Sequence, residues 1–249
     1  MAVYTTIDDS SLFMNTVLYA GNSPSTQSIT GVGFQPDLIW VKSRDSTEWH
    51  NIVDAVRGNT SNIYSNATNA ADIASRVTAF GADGFSLGAI DTVNNGSDDF
   101  VSWNWKAGTT SGIAGSPNLT PTGYSFNATS GFSTIAWTAN ATGLNTDTLP
   151  HGLGVAPSMI YIKCIDNADS WIVYTKALGA GKQLFLNGTV GEQSNANKYP
   201  TIPTSTLFYP GSDNATNNDS RDYIAYCFAD VAGYSKFSSY VGNSSTDGT

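Results

Sequence analysis

The sequence predicts an all-β protein: two tandem antiparallel β-sandwiches, of jelly-roll or lectin-like type, arising from an internal duplication. Three observations carry this expectation. Only 12% of the 249 residues are charged, too few for the Glu, Lys and Arg that fill the solvent-facing positions of helices. Short segments rich in β-branched and aromatic residues recur between Gly-, Asn- and Asp-rich turns. Finally, the chain repeats itself, block by block and in the same order.

The first repeated block, Thr16-Val-Leu-Tyr19-Ala-Gly-Asn22, returns as Thr134-Ile-Ala-Trp137-Thr-Ala-Asn140. The second, Gly31-Val-Gly-Phe-Gln-Pro36-Asp-Leu-Ile-Trp-Val-Lys42, returns as Gly152-Leu-Gly-Val-Ala-Pro157-Ser-Met-Ile-Tyr-Ile-Lys163. Ile63-Tyr64-Ser65-Asn66 is matched by Leu184-Phe185-Leu186-Asn187, and Asp99-Phe-Val-Ser-Trp103-Asn-Trp105 by Asp222-Tyr-Ile-Ala-Tyr226-Cys-Phe228. A further start, Phe237-Ser-Ser-Tyr240-Val-Gly242-Asn243, echoes Tyr19-Ala-Gly21-Asn22.

These blocks divide the chain into an N-terminal arm (1–11), a first sandwich (12–108), a Gly/Ser/Thr/Pro linker (109–130), a second sandwich (131–233) and a C-terminal segment (234–249) that resembles the start of a third unit. The segments Leu38 to Lys42 and Met159 to Lys163 follow a proline that sets their entry and read as strands. In Val101/Trp103/Trp105 and Ile224/Tyr226/Phe228, period-2 alternation gathers three large apolar side chains on one face. The intervening Ser102, Asn104, Ala225 and Cys227 are small. Large residues on one side predict that each unit packs that face into a core of its own. Thr68 to Thr78 reads as a loop or one short helix.

Net charge is −9, which repels a phosphate backbone and argues against nucleic acid. No run is apolar enough for a membrane span, and the N-terminus lacks the basic and apolar regions of a signal peptide. Cys164 and Cys227 are expected to be buried free thiols. Catalysis would need a base held beside a nucleophile, but His50 and His151 each lack a counterpart in the other unit. The clusters Asn94/Asn95/Asp98/Asp99 and Asn217/Asn218/Asp219/Asp222 offer cation-binding oxygens, although their spacing fits polar turns better than a calcium loop. No metal, cofactor or catalytic residue is therefore assigned. Four of the six tryptophans occupy positions that the sister unit also fills with an aromatic, as a core would. Trp49 and Trp171 stand apart, next to turns, and are the aromatics expected to meet a ligand or partner. Phe237 and Tyr240 join them as candidates for pairing with a neighbour's sheet edge.

The motifs Tyr4-Thr-Thr-Ile-Asp-Asp9, Gly31 to Lys42, Asp54-Ala-Val-Arg-Gly58, Asp83-Gly-Phe-Ser-Leu-Gly88 and Trp103-Asn-Trp-Lys-Ala-Gly108, with Tyr223 to Phe237 in the second half, resemble a family of tailed-phage virion proteins found in viruses of marine cyanobacteria and other marine bacteria. The resemblance runs over essentially the whole chain. It implies a non-enzymatic structural protein on the virion exterior, of tail-fibre or capsid-decoration type, made in the host cytoplasm. The implied partners are other virion proteins and further copies of the chain. It also implies a third unit beyond the position of Thr249. The alternatives left open are an adhesin that binds host surface glycans and a glycan-cleaving enzyme.

Overall fold

The computed structural model describes residues 5–140, 143–218 and 220–244. In chain order the N-terminal half forms β1 (Met14–Ala20), β2 (Gln27–Ile29), β3 (Leu38–Ser43), β4 (Asn51–Asp54), β5 (Gly58–Tyr64), β6 (Asp72–Ile73), β7 (Val77–Gly81), β8 (Gly84–Leu87) and β9 (Asp99–Trp105). The C-terminal half forms β10 (Gly123–Asn127), β11 (Phe132–Thr138), β12 (Leu149–Pro150), β13 (Met159–Cys164), β14 (Ile172–Thr175), β15 (Lys182–Phe185), β16 (Gln193–Ser194), β17 (Leu207–Phe208) and β18 (Asp222–Phe228). Helix is confined to a 3-10 turn at Ser10–Leu12 and the single turn α1 (Asp91–Asn94) among the described residues. None of these is long and apolar enough to cross a membrane. The fold is all-β with antiparallel sheets. Thr68 to Thr78 contributes strand β6 and the start of β7 rather than a helix.

One large sheet has the order β1-β9-β3-β4-β5-β6 and the other β10-β11-β18-β13-β14-β15-β16. Apart from β10 the two orders correspond strand for strand. Registers correspond as well: Trp103 lies between Thr16 and Trp40, and Tyr226 between Thr134 and Tyr161. Small details recur. The Asp45 carboxylate accepts the Asp99 amide at 2.6 Å, and that of Asp166 accepts the Asp222 amide at 2.6 Å. The side-chain amides of Asn94 and Asn217 donate to the carbonyls of Gly88 and Gly211, both at 3.0 Å.

The expected inward faces require correction. The Trp103 and Tyr226 faces do not fill two separate cores; the two large sheets turn them toward each other. Leu38, Ile52, Ile63 and Ala107 of the first half pack with Phe132, Trp171, Ile224 and Tyr226 of the second, with Trp40, Trp105, Tyr161 and Phe228 at the margin. The small-residue faces are buried too. Behind the first sheet, Ile39, Val41 and Phe100 pack on Ile29, Val77, Phe85 and Leu87 of the three-stranded sheet β2-β8-β7. Behind the second, Ile135, Trp137, Ile160 and Tyr223 pack on Leu149 and Phe208 of the β12-β17 ribbon and on Tyr199. Three apolar layers thus separate four tiers of strands, and both large sheets are covered on two sides.

The expected linker is likewise more ordered than its composition suggests. It contributes β10, and Leu119 reaches the core of the second half. Ser125 of β10 donates to buried Asp37 at 2.8 Å, and the other oxygen of Asp37 accepts the Ala107 amide at 2.7 Å. Strand β10 is therefore stitched to the first half while it pairs within the second.

Candidate functional site

The four predicted contact residues separate in the structure. Trp171 is fully buried in the shared core, so it is not available to a ligand, contrary to expectation. Its amide accepts no solvent role either: it donates to the Asn187 side chain at 2.7 Å, as the His50 amide donates to Asn66 at 2.9 Å. Trp171 is thus the counterpart of His50, and the register sends its ring inward. Trp49, one position earlier in the pattern, is 42% exposed and leans on Tyr64 with ring centroids 4.4 Å apart. Phe237 is half-buried against Phe228 at 5.7 Å, and Tyr240 is 92% exposed.

Phe237 lines a cavity of about 260 Å³ where the shared core opens at one corner. Met14, Trp105, Phe132, Phe228 and Tyr234 make up most of its wall, so both halves and the C-terminal segment meet there. Ser130 also lines it, with a buried hydroxyl that has no hydrogen-bond partner among the described residues. Among the described residues, no charged side chain lines the cavity. Its chemistry suits docking of apolar groups rather than proton transfer. Beyond this corner runs β1, whose sequence Met14-Asn-Thr-Val-Leu-Tyr-Ala20 carries no charge. Its outer edge pairs with no strand among the described residues, and Leu18 on it is 61% exposed.

The remaining candidates hold the fold. His151 is buried; its Nδ1 accepts the Leu153 amide at 3.2 Å and its Nε2 faces the Thr204 carbonyl at 3.2 Å. That places the proton on Nε2 in a neutral ring. The same Gly-x-Gly turn in the first half is held by Asp83, whose carboxylate accepts the Gly31 and Gly33 amides at 3.1 and 2.6 Å. Both glycines sit at positive φ, +85° and +86°, where a side chain would be strained. Asn94 and Asn217 are fully buried and hold backbone carbonyls, so the polar-turn reading of these loops accounts for them. Asp219 lies outside the described residues. Among the described residues, no group of three His, Cys, Asp or Glu side chains is placed to hold a metal ion. Cys164 and Cys227 are buried free thiols, and burial pushes Cys227 up to about 12.

Burial drives the His151 pKa from 6.5 down to about 4. The unfolded chain therefore takes up this proton first. The resulting stability is complete above about pH 6.5 and is lost as pH falls toward about 4, by roughly 3 kcal/mol in all. Acid unfolding compared between the parent and His151→Gln should show a stability difference that changes across this window. Parallel curves from pH 7 to 4 would contradict it.

A buried charged group that joins the two halves was not legible in the sequence. Asp54 and Arg57 form a buried ion pair at 2.6 Å, and the Tyr226 hydroxyl donates to the same Asp54 oxygen at 2.6 Å. A second link between halves runs from the Trp171 Nε1, which donates to the Tyr64 carbonyl at 2.7 Å. The Asp54-Ala-Val-Arg57 spacing was visible, but its partner lies in the other half of the chain.

Residues 9–249 match the model of a family described as a domain of unknown function (DUF7483). The chain belongs to that family. No curated protein and no solved structure matches it.

Proposed function

We propose that the chain is a non-enzymatic structural protein of the exterior of a tailed-phage virion, working through protein–protein contacts. The observation that carries this reading is the corner where the uncharged, unpaired edge of β1 meets an apolar cavity and an exposed C-terminal segment. An open edge with an exposed leucine is a template for strand pairing, and proteins that must stay monomeric block such edges with charge or proline. The shared core supports the reading by making the body rigid, which suits a particle component whose many copies add avidity. The motif resemblance to tailed-phage virion proteins supplies the setting. We further infer that the two halves descend from one duplicated β unit, supported by the matching strand order, registers and Asp45/Asp166 contacts.

Gold-labelled antibody applied to purified phage particles is expected to mark the capsid or tail surface. Absence of the protein from the particles would refute the assignment. The exposed ring of Trp49 favours a second reading, a glycan-binding adhesin. Binding on a glycan array that is lost in Trp49→Ala would select it.

A further inference from the structure

We propose that residues 238–244 of one copy add as an antiparallel strand to the outer edge of β1 in a second copy, an edge that no described strand pairs and where side chains hold only the Thr16 amide and the Ala20 carbonyl. This deepens the reading of the chain as a contact-forming protein and names the contact. The two sheets differ at one edge. In the C-terminal sheet the outer edge of β11 is covered by β10, paired from Gly123 opposite Ala136 to Asn127 opposite Phe132. In the N-terminal sheet β1 takes the place of β11 beside β9, and among the described residues nothing takes the place of β10. The second sheet thus displays the occupant that the first sheet lacks: a short antiparallel strand.

Both surfaces are exposed. Tyr240 and Val241 are 92% and 94% exposed, and Leu18 is 61% exposed. The candidate strand carries Tyr240-Val-Gly-Asn243, with the same Tyr-x-x-Asn spacing as Tyr124-Ser-Phe-Asn127 in β10. Placed in the β10 register, Tyr240 falls opposite Val17 and Ser239 opposite Leu18. At roughly 3.3 Å per residue the segment is long enough to follow most of β1. Neither strand carries a charge, so this is a place where a chain of net charge −9 can meet its copy without added repulsion.

Strand direction decides between the chain's own edge and a neighbour's. Strand β10 enters at the end of β11 that corresponds to Leu18 and leaves at the end that corresponds to Met14. The C-terminal segment starts at the Met14 end, because Phe237 and Met14 line the same cavity and Tyr234 contacts Phe13 at 6.4 Å. Running on from there along its own β1 it would be parallel. Antiparallel entry at the Leu18 end comes from another copy. With donor root and acceptor edge at one corner, two copies can exchange segments about a two-fold axis.

The test uses the full chain carrying Leu18→Cys and Ser239→Cys. Both positions are exposed, and the native cysteines are buried and cannot compete. Mild oxidation is expected to give a disulfide-linked dimer on a non-reducing gel, with neither single variant doing so. Leu18→Lys should weaken self-association in sedimentation at least tenfold while leaving the circular dichroism unchanged. A linked monomer, which would mean pairing within one chain, overturns the proposal. So does a monomeric parent at 100-micromolar order, or a dimer indifferent to Leu18→Lys. A dimer that behaves as expected yet is missing from phage particles would sustain this contact and remove the virion assignment.

Discussion

Trp171→Ala is expected to destabilise the chain by about 3–5 kcal/mol, because it opens a large cavity in a packed interior. The indole is fully buried and stacks on Tyr226 with centroids 6.1 Å apart. Its Nε1 donates to the Tyr64 carbonyl on the opposite sheet, so truncation also removes a buried hydrogen bond that joins the two sheets. The loss should be felt in both halves, since the ring touches both. Trp49→Ala, at a ring 42% exposed, should cost far less. Urea unfolding checks the pair: the midpoint should fall steeply for Trp171→Ala and little for Trp49→Ala, with similar slopes.

Asp54→Ala should be as damaging, at about 3–5 kcal/mol, because it leaves the Arg57 guanidinium buried without its counter-charge. The side chains of Asp54 and Arg57 are 0% and 7% exposed, so water cannot replace the carboxylate. Burial holds the Tyr226 hydroxyl well above its ordinary pKa, so it remains a donor, and that donor also loses its acceptor. Tyr226→Phe keeps the ion pair but removes the bond donated to Asp54 and the one accepted from Arg57 at 3.3 Å, and should cost about 1.5–3 kcal/mol. Replacing both Asp54 and Arg57 by apolar residues of similar volume should recover much of the loss, since no buried charge is then left alone. Denaturant titration of the parent and these three variants measures this. An Asp54→Ala protein within about 1 kcal/mol of the parent would show that the pair contributes little.

The strands were legible because they depend on local alternation and on turn residues beside them. The partners of their faces were not. Large residues at Trp103 and Tyr226 with small ones between suggest an inside and an outside, yet Ser102, Asn104, Ala225 and Cys227 are all fully buried. Alternation in size here separates two interiors, one shared between halves and one within each. The same limit explains Trp171. Its nearness to a turn suggested exposure, whereas its register with His50, rather than with Trp49, determines which way the ring points. Strand β10 was hidden because Gly123-Tyr-Ser-Phe-Asn127 is short and sits inside a Gly-, Ser-, Thr- and Pro-rich stretch, and its pairing with β11 is what reveals it as a strand. The Asp54–Arg57–Tyr226 group joins residues remote in sequence, so no spacing announces it. The C-terminal segment was read as a pairing element, but the edge it would meet became visible only in the sheet order.

The central claim is that the two sheets share one core and so unfold together. Scanning calorimetry of the parent and of Trp171→Ala tests it most directly. One transition is expected in each protein, with calorimetric and van't Hoff enthalpies equal, and the single peak moved to lower temperature in the variant. Two transitions in the parent, of which Trp171→Ala shifts only one, would contradict it.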